Sequence, residues 1–274
     1  MRVCSVQTLS FTQPAVPIHA KRFAGVLENV LTTVRTDDGR EAYSMARAHG
    51  GQSGAGISQA IIKSLAPRAL GQDALNRERI WQSMLELEPA GYVPVFAISA
   101  LDVALWDLAG KALGVPICQL LGGRRERIRA YASSAALCEK RSGRMNRSCS
   151  TWPRVITMPK PSGSGVYWKA GVSGMHKTAV LCEALGIKVA SHHAASPLMN
   201  WANLHVLCGV SNADWIEVLV PEAGYDYGLQ RYLAPDADGY LTVPHEPGIG
   251  VALDWDYIRA HTVPGSALTA ELAG

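Results

Sequence analysis

The pattern of hydrophobic and polar positions predicts regular secondary structure through most of the chain. Residues 27–36 (LENVLTTVRT) alternate in part, and Asp38-Gly39 behind them is a strong turn signal, so this stretch predicts a β-hairpin. Residues 95–113 (VFAISALDVALWDLAGKAL) are apolar on almost every face, which predicts a long buried helix that ends at Gly114. The N-terminal part therefore combines a hairpin with a buried helix.

The second half of the chain continues as short strands and helices in alternation. The pattern predicts strands at 128–134, 187–191 and 214–219, and helices at 174–184 and 198–208. Each helix precedes a strand, an order typical of α/β architecture with parallel strands. The last ten residues carry no such pattern, and we expect them to be loosely held.

Residues 138–165 follow neither a helical nor a strand period. Within this segment, residues 138–162 hold six basic side chains and one acidic side chain, a net charge of +5 in a chain of +3. The composition, rich in Arg, Ser, Pro and Gly, predicts an irregular and exposed segment. Nucleic-acid-binding surfaces usually interleave basic and aromatic residues, and Trp152 is the single aromatic here, so we expect no nucleic-acid partner.

The overall composition is that of a globular protein of one large or two modest domains. The chain has 274 residues, 48% of them hydrophobic and 18% charged, and no apolar run reaches the roughly 18 residues of a membrane helix. Its six cysteines include no CxxC pair, and its first residues contain no apolar core of the signal-peptide type. We therefore expect a cytoplasmic protein with reduced thiols and no membrane partner.

Several long motifs resemble the mandelate racemase and muconate-lactonizing group of the enolase superfamily. ALDVALWDLAGKALGVPICQLLGG (100–123) resembles the family's connection between capping domain and barrel. GVSGMHKTAVLCEALGIKVASHH (171–193) and NADWIEVL (212–219) resemble the last part of its barrel, and LTVPHEPGIGVALDWDYI (241–258) its return to the capping domain. The motifs occur in the family's order, which makes the resemblance specific for the family but not for a substrate.

The resemblance implies an α+β capping domain followed by a TIM-type α/β barrel that is incomplete. The expected boundaries are 1–125 for the capping domain and 126–262 for the truncated barrel, with an irregular joint at 138–165 and a tail at 263–274. Residues 126–262 number 137, whereas a complete barrel takes about 250 residues. The middle strands of the barrel are therefore expected to be missing.

The resemblance also implies a chemistry, namely the abstraction of a proton α to the carboxylate of a small substrate, an acid sugar or a 2-hydroxy acid. Family members use Mg²⁺, held by one Asp and two Glu at the ends of the third to fifth barrel strands. His192, in VASHH, matches the family's histidine base, and Glu217, in WIE, matches a carboxylate that hydrogen-bonds the substrate carboxylate. The aspartate that would orient His192 aligns with Gly165.

The metal ligands of the family have no counterpart in this sequence. From Lys140 to Cys182 there is no Asp and no Glu, although Mg²⁺ requires hard oxygen ligands. The Lys-x-Lys pair that serves other family members as a base is absent as well. We therefore expect the lone chain to be inactive in the family reaction.

Other polar positions have structural interpretations. Asp102 and Asp107, on the apolar helix, are predicted to be buried hydrogen-bonding groups at the domain junction. The resemblance implies that residues 49–53 help to close the capping domain over substrate. Cys182 with His192 and His193 matches no zinc spacing, so we expect no soft-metal site there.

Three functions stay open at this point. The first is a Mg²⁺-dependent racemase, epimerase or acid-sugar dehydratase, for which the chain lacks the ligands. The second is a non-catalytic remnant or pseudoenzyme that associates with a full-length relative, and a homo-oligomer is also compatible with the sequence. The third, and the weakest, is a binding module that uses the basic residues of 138–162.

Overall fold

In the computed structural model, two four-stranded sheets and the helices packed on them make up the fold. The residues that the structure describes are 1–14, 26–48, 53–88, 91, 93–133, 171–192, 196–219 and 227–272. The predicted irregular joint at 138–165 and the position of Gly165 lie outside these residues.

The first sheet is antiparallel and builds the capping domain. Its first three strands are β1 (Val3–Pro14), β2 (Val26–Thr36) and β3 (Glu41–Arg47), and each pairs with the next along the chain. The turn between β2 and β3 contains Gly39, whose φ of 83° is a left-handed conformation that glycine adopts without strain. The predicted hairpin is therefore confirmed.

The fourth strand of this sheet comes from the C-terminal end of the described chain. Strand β8 (Leu268–Glu271) pairs antiparallel with β1, with Ser5 opposite Glu271 and Thr8 opposite Leu268. The expectation that the last ten residues are loosely held is wrong for this strand, because backbone hydrogen bonds to β1 fix it. The local pattern could not show this, since the partner strand lies at the other end of the sequence.

Helices of the capping domain cover one face of this sheet. Helix α1 (Gly54–Gln59) runs through a π-helical turn (Ala60–Leu65) into α2 (Ala66–Ala69), so Pro67 does not interrupt the helical path. Helix α3 (Arg77–Leu85) follows, and the Asn76 side chain before it makes no capping hydrogen bond.

The predicted long helix is confirmed as α4 (Val95–Leu113), which ends at Gly114 in the left-handed conformation. Thirteen of its nineteen residues are buried, because one side packs on the capping sheet and the other on the barrel part. The core between α4 and the capping sheet contains fully buried side chains from both: Val6, Val30, Val34, Ile98, Leu101 and Leu105.

The second sheet is a strip of an α/β barrel. After the short helix α5 (Ile117–Leu120) come β4 (Arg127–Ser133), α6 (Gly171–Ala184), β5 (Val189–Ser191), α7 (Pro197–Gly209) and β6 (Ala213–Leu219). Strands β5, β6 and β4 lie side by side and parallel, and β7 (Tyr240–Thr242) pairs antiparallel with the first residues of β4. Helix α8 (Trp255–Ala260) then leads back to the capping sheet. The second part of the fold is thus an incomplete α/β barrel.

A layer of apolar side chains joins the barrel strip to its helices. Ile128, Ile216 and Val218 point from the strands into this core, where they meet buried residues of α6 and α7.

Within the described part of the chain, no helix is long and apolar enough to cross a membrane.

Candidate active site at the strand ends

His192 and Glu217 lie at the carboxyl end of two neighbouring parallel strands. His192 directly follows β5, and Glu217 is the fifth residue of β6. The strands pair in parallel, and the last pair of this ladder is Ser191 with Ile216, which are the residues just before His192 and Glu217. The structure therefore brings the two sequence-predicted residues to the carboxyl end of neighbouring strands.

The two side chains differ in their exposure. Only 8% of the Glu217 surface is exposed to solvent, whereas His192 is exposed. A buried carboxylate at a strand end is suited to accept or share hydrogen bonds, and an exposed imidazole beside it remains accessible to a small molecule.

Tyr131 on β4 is a third member of this group that the sequence interpretation missed. It lies opposite Glu217 in the parallel ladder, so both side chains project from the same face of the sheet. Burial, together with the negative charge of Glu217, raises the pKa of the Tyr131 hydroxyl to about 12. Tyr131 is therefore a protonated hydrogen-bond donor at neutral pH. Only the strand register, which sequence alone does not supply, relates it to Glu217.

The capping domain and α7 hold the chain on either side of the strand β5 terminus. The Asn203 side-chain amide donates to the His192 carbonyl oxygen at 3.2 Å. The Ser196 hydroxyl, at the start of α7, donates to the carbonyl oxygen of Met45 on β3 at 3.1 Å. The backbone that carries His192 is thus tied to both parts of the fold.

A buried polar chain reinforces the same contact between the two domains. The Tyr227 hydroxyl donates to Oδ1 of Asn29 at 2.8 Å, and Nδ2 of Asn29 donates to Oε1 of Gln13 at 3.2 Å. All three side chains are buried, so each hydrogen bond is made without competition from water. These hydrogen bonds therefore tie strands β1 and β2 of the capping sheet to the segment that follows β6.

Asp102 and Asp107 hold the domain junction, as the sequence predicts. The hydroxyl and the backbone N–H of Ser173 donate to the Asp102 carboxylate at 2.6 and 3.0 Å, so this aspartate caps the first turn of α6 from another helix. A Cβ at Gly171 would overlap Oδ2 of Asp102, and glycine alone allows this approach. Burial raises the pKa of Asp102 to about 7.

Asp107 joins three segments at once. Its carboxylate accepts from the backbone N–H of Ile249 at 2.8 Å and of Tyr43 at 3.3 Å, and it forms an ion pair with Lys111 at 2.7 Å. Burial raises its pKa, although the Lys111 charge acts in the opposite direction. Neither aspartate is available as a ligand for another group.

His205 is a structural residue of the core. Its Nδ1 accepts from the backbone N–H of Cys118 at 3.2 Å, and Nε2 lies 3.0 Å from the carbonyl oxygen of Ile249. Burial lowers its pKa to about 4, so the imidazole is neutral at physiological pH. A neutral ring fits these two contacts, because one nitrogen must accept and the other donate.

Two further predicted positions give little chemistry. Ser53 caps α1, with its hydroxyl accepting from the N–H of Gly56 at 3.1 Å, and residues 49–52 of the expected closing loop lie outside the described residues. Cys182 is buried, which raises the pKa of its thiol, and His193 is not described. A soft-metal grouping of Cys182 with these histidines therefore gains no support.

The described residues do not fit a divalent cation. In the ranges given above, no three His, Cys, Asp or Glu side chains converge to hold a metal ion. At the described ends of the parallel strands, Glu217 contributes one carboxylate, and Mg²⁺ needs several oxygen ligands. The segment from Lys140 to Cys182, where the resemblance places the ligand strands, has no Asp or Glu in its sequence.

A capping domain over a strip of parallel strands, with polar side chains at their carboxyl ends, defines a protein of the capped-barrel class. Two family models match this chain: "Mandelate racemase / muconate lactonizing enzyme, N-terminal domain" over residues 6–122 and "Enolase C-terminal domain-like" over residues 164–257. The chain belongs to the mandelate racemase/muconate lactonizing enzyme group of the enolase superfamily.

Similar proteins with assigned activities include acid-sugar dehydratases and cycloisomerases. The chain is 46% identical over 76 residues to a D-galactonate dehydratase of Verminephrobacter eiseniae, an alignment that covers 27% of this chain and 20% of that protein. It is 34% identical over 119 residues to an arabinonate dehydratase of Saccharolobus solfataricus, covering 42% and 31%. These alignments thus span less than a third of either relative.

A longer alignment shows that the chain is internally shortened. It is 22% identical to a D-xylonate dehydratase of Haloferax volcanii over 408 aligned positions, which cover 99% of this chain and 96% of that protein. Because the chain has 274 residues, more than a hundred aligned positions have no residue in it.

Solved structures share the fold. A racemase from Streptomyces coelicolor with bound magnesium matches with a TM-score of 0.73 and 20% identity, over 95% of this chain and 100% of that one. A mandelate racemase/muconate lactonizing enzyme from Pseudovibrio matches with a TM-score of 0.78 and 15% identity, over 99% of both chains. Magnesium is thus a metal of the family.

Proposed function

We propose that this chain is a non-catalytic member of its group, which binds the carboxylate of a small hydroxy acid at His192 and its hydroxyl groups at Glu217 but does not carry out the Mg²⁺-dependent reaction alone. One observation carries the proposal: no Asp or Glu occurs between Lys140 and Cys182, where the resemblance places the three metal ligands. The dehydratase activity of the similar proteins suggests an acid sugar or a 2-hydroxy acid as the bound molecule.

The chemistry of the reaction explains why the ligands decide the matter. A proton α to a carboxylate is weakly acidic, so an enzyme has to stabilise the dianion that forms as the proton leaves. A divalent cation supplies several kcal/mol of this stabilisation as a Lewis acid. His192 alone would abstract the proton toward an unstabilised product, and by the family resemblance Gly165 stands where an aspartate would orient its ring. We therefore expect rates near the uncatalysed background.

The binding part of the proposal follows from the strand-end group. Glu217 and Tyr131 project from the same face of adjacent strands, and the exposed His192 lies at the next strand. An imidazole N–H of His192 would donate a hydrogen bond to a substrate carboxylate oxygen, and the Tyr131 hydroxyl would donate one to a sugar oxygen. These groups favour weak binding of a hydroxy acid over turnover.

Two measurements on the purified chain test the proposal. The first follows deuterium exchange at the α-carbon of a panel of sugar acids and 2-hydroxy acids, with and without Mg²⁺. We expect no exchange above background in either condition. Mg²⁺-dependent exchange that is abolished in His192→Asn and retained in the exposed control His245→Asn would refute the inactive state.

The second measurement is calorimetric titration of the same acids. We expect binding that weakens in His192→Asn and in Tyr131→Phe, while His245→Asn binds as the parent chain does. If no acid of the panel binds, or if His192→Asn leaves binding unchanged, the carboxylate site is wrong.

A second candidate function is that of a pseudoenzyme that associates with a full-length relative. Helix α6 presents an apolar group to solvent, made of Val180, Leu181 and, just beyond its end, Leu185, with exposed fractions of 46, 56 and 63%. Among the described strands, β5 pairs only with β6, so its outer edge is a further place for a partner. Co-elution with a co-expressed full-length dehydratase, lost in Leu181→Lys, would support this function, and separate elution would exclude that partner.

A further inference from the structure

A cavity of about 680 Å³ lies between the capping domain and the barrel strip, away from the strand-end group. Its walls come from the start of α3, from Trp106 on α4 and from the first turns of α6. The lining residues are Leu75, Asn76, Arg77, Glu78, Arg79, Trp106, Ser173, His176 and Lys177. Neither His192 nor Glu217 belongs to it, so it is a separate feature of the domain junction.

The charge of the lining is positive. Arg77, Arg79 and Lys177 bring three cations, against a single carboxylate, that of Glu78. This carboxylate is already paired, because its Oε1 lies 2.9 Å from Nζ of Lys177. An anion entering the cavity would therefore meet two further cationic groups.

Arg77 has a guanidinium nitrogen whose hydrogen-bonding capacity is unused. Its guanidinium lies over the Trp106 ring, with 4.2 Å between Cζ and the ring centroid. Its Nε is buried without a hydrogen-bond partner, and its charge interacts over a longer distance with the buried Asp102, with which it forms no ion pair among the described residues. A buried guanidinium nitrogen without an acceptor is unfavourable, and a ligand oxygen would satisfy it.

The platform beneath Arg77 is rigid. The Trp106 indole N–H donates to the Ser173 hydroxyl at 2.8 Å, and this hydroxyl donates to the buried Asp102 at 2.6 Å. The ring cannot turn without breaking this chain, so the surface on which the Arg77 guanidinium lies is fixed. A guanidinium carries its N–H groups as a fork, a geometry that matches phosphate and carboxylate oxygens.

We propose that this cavity binds a small oxyanion of the phosphate class, with Arg77 as the principal donor and with Arg79 and Lys177 as supporting charges. The start of α3 lines the same cavity, and the Asn76 side chain leaves the first N–H groups of this helix uncapped, which adds favourable donors. A phosphate has more acceptor oxygens than a carboxylate and thereby suits three converging cations better. Since the walls come from both domains, the bound anion would also stabilise their contact.

Calorimetric titration with inorganic phosphate at constant ionic strength tests the proposal, with sodium chloride and sodium acetate as comparison anions. We expect saturable binding of phosphate, weaker binding of acetate and none of chloride. Arg77→Gln should weaken phosphate binding by about tenfold or more, because it removes charge-assisted hydrogen bonds. Lys177→Gln should weaken it by about threefold, because this lysine shares its charge with Glu78.

Two variants serve as controls. Arg259→Gln removes the same charge from an exposed helix outside the cavity and should bind phosphate as the parent chain does. His192→Asn should also leave phosphate binding unchanged, which separates this site from the proposed carboxylate site. Circular dichroism establishes that each variant is folded, and Lys177→Gln decides the matter if Arg77→Gln does not fold.

Three results would overturn the proposal. One is an equal response to phosphate and to chloride, which would indicate general ionic strength. Another is unchanged phosphate binding in folded Arg77→Gln, or in Lys177→Gln if that variant decides. The last is binding of acetate as tight as that of phosphate, which would make the phosphate class wrong.

Discussion

Replacing Asp102 by asparagine should change how the stability of the protein depends on pH. The carboxyl group is completely buried, and burial raises its pKa from an ordinary value of 3.8 to about 7. In the folded protein it therefore holds its proton up to about pH 7, whereas in the unfolded chain it releases the proton near pH 4. The folded state binds more protons between these values, so this group stabilises the fold at low pH and less as the pH rises.

The size of the effect follows from the two pKa values. A tenfold change in proton affinity corresponds to about 1.4 kcal/mol, so the contribution of Asp102 to the free energy of unfolding should fall by about 4 kcal/mol between pH 4 and pH 7. Asparagine resembles the protonated acid in shape. Its side-chain oxygen can accept from the Ser173 N–H, and its NH₂ group can donate to the Ser173 hydroxyl oxygen. Asp102→Asn should thus match the parent chain near pH 4.5 and exceed it in stability near pH 7.5.

Urea unfolding followed by circular dichroism from pH 4.5 to pH 8 measures this difference. The quantity of interest is the parent minus variant free energy of unfolding, since other titrating groups cancel in it. The control Asp254→Asn alters a helix cap whose carboxylate accepts from the Tyr257 N–H, in a partly exposed position. A parent–variant difference that is constant with pH, or that favours the parent as pH rises, would refute the reasoning. It would mean that the two Ser173 hydrogen bonds outweigh burial.

Three further changes have expected outcomes. Gly248→Ala should lower the free energy of unfolding by about 3 kcal/mol or more, because the new Cβ would overlap a carboxylate oxygen of Asp107 on α4. The control Gly239→Ala has a similar φ but open space around it, and it should lower the free energy of unfolding by about 1 kcal/mol. Equal losses in urea unfolding would contradict this prediction. Burial lowers the pKa of His205 from 6.5 to about 4, so its contribution to the free energy of unfolding should fall by about 3 kcal/mol as the pH drops from 6.5 to 4. In urea unfolding at a series of pH values, His205→Gln should therefore lose less stability than the parent chain over this range. Trp81→Ala should lower the free energy of unfolding by about 3–5 kcal/mol, because the ring is fully buried. The control Tyr232→Ala removes an exposed ring and should change the free energy of unfolding by less than about 0.5 kcal/mol. Similar urea midpoints for the two variants would show that the core is not packed as described.

The sequence predicts the elements whose signals are local. Helix α4 has an apolar pattern on almost every face and a glycine stop, and the structure ends it at Gly114 with φ of 71°. The β2–β3 hairpin has a two-residue turn signal at Asp38-Gly39. Strand β1 is not predicted, because its polar residues, among them Thr8 and Ser10, are buried and hide the alternation.

The site shows the same division. His192 and Glu217 can be selected because their motifs resemble the family, and the parallel ladder places both at one end of the sheet. Tyr131 and Arg77 cannot be selected in this way, since their importance arises from a neighbouring strand and from the ring of Trp106. Contacts across strands and domains depend on register and packing, which hydrophobic periodicity does not contain.

The pairing of β8 with β1 bears on the order in which the chain can fold during synthesis. Ser5 leaves the ribosome first, and its strand partner Glu271 is made 266 residues later. Until then the outer edge of β1 has no strand beside it, and such an edge readily accepts foreign strands. The entropy of closing so long a loop grows only with the logarithm of its length, so the delay affects the folding rate and the exposure to aggregation more than the final stability. A chaperone that shields an extended edge during translation would therefore raise the yield of this protein without altering its folded state.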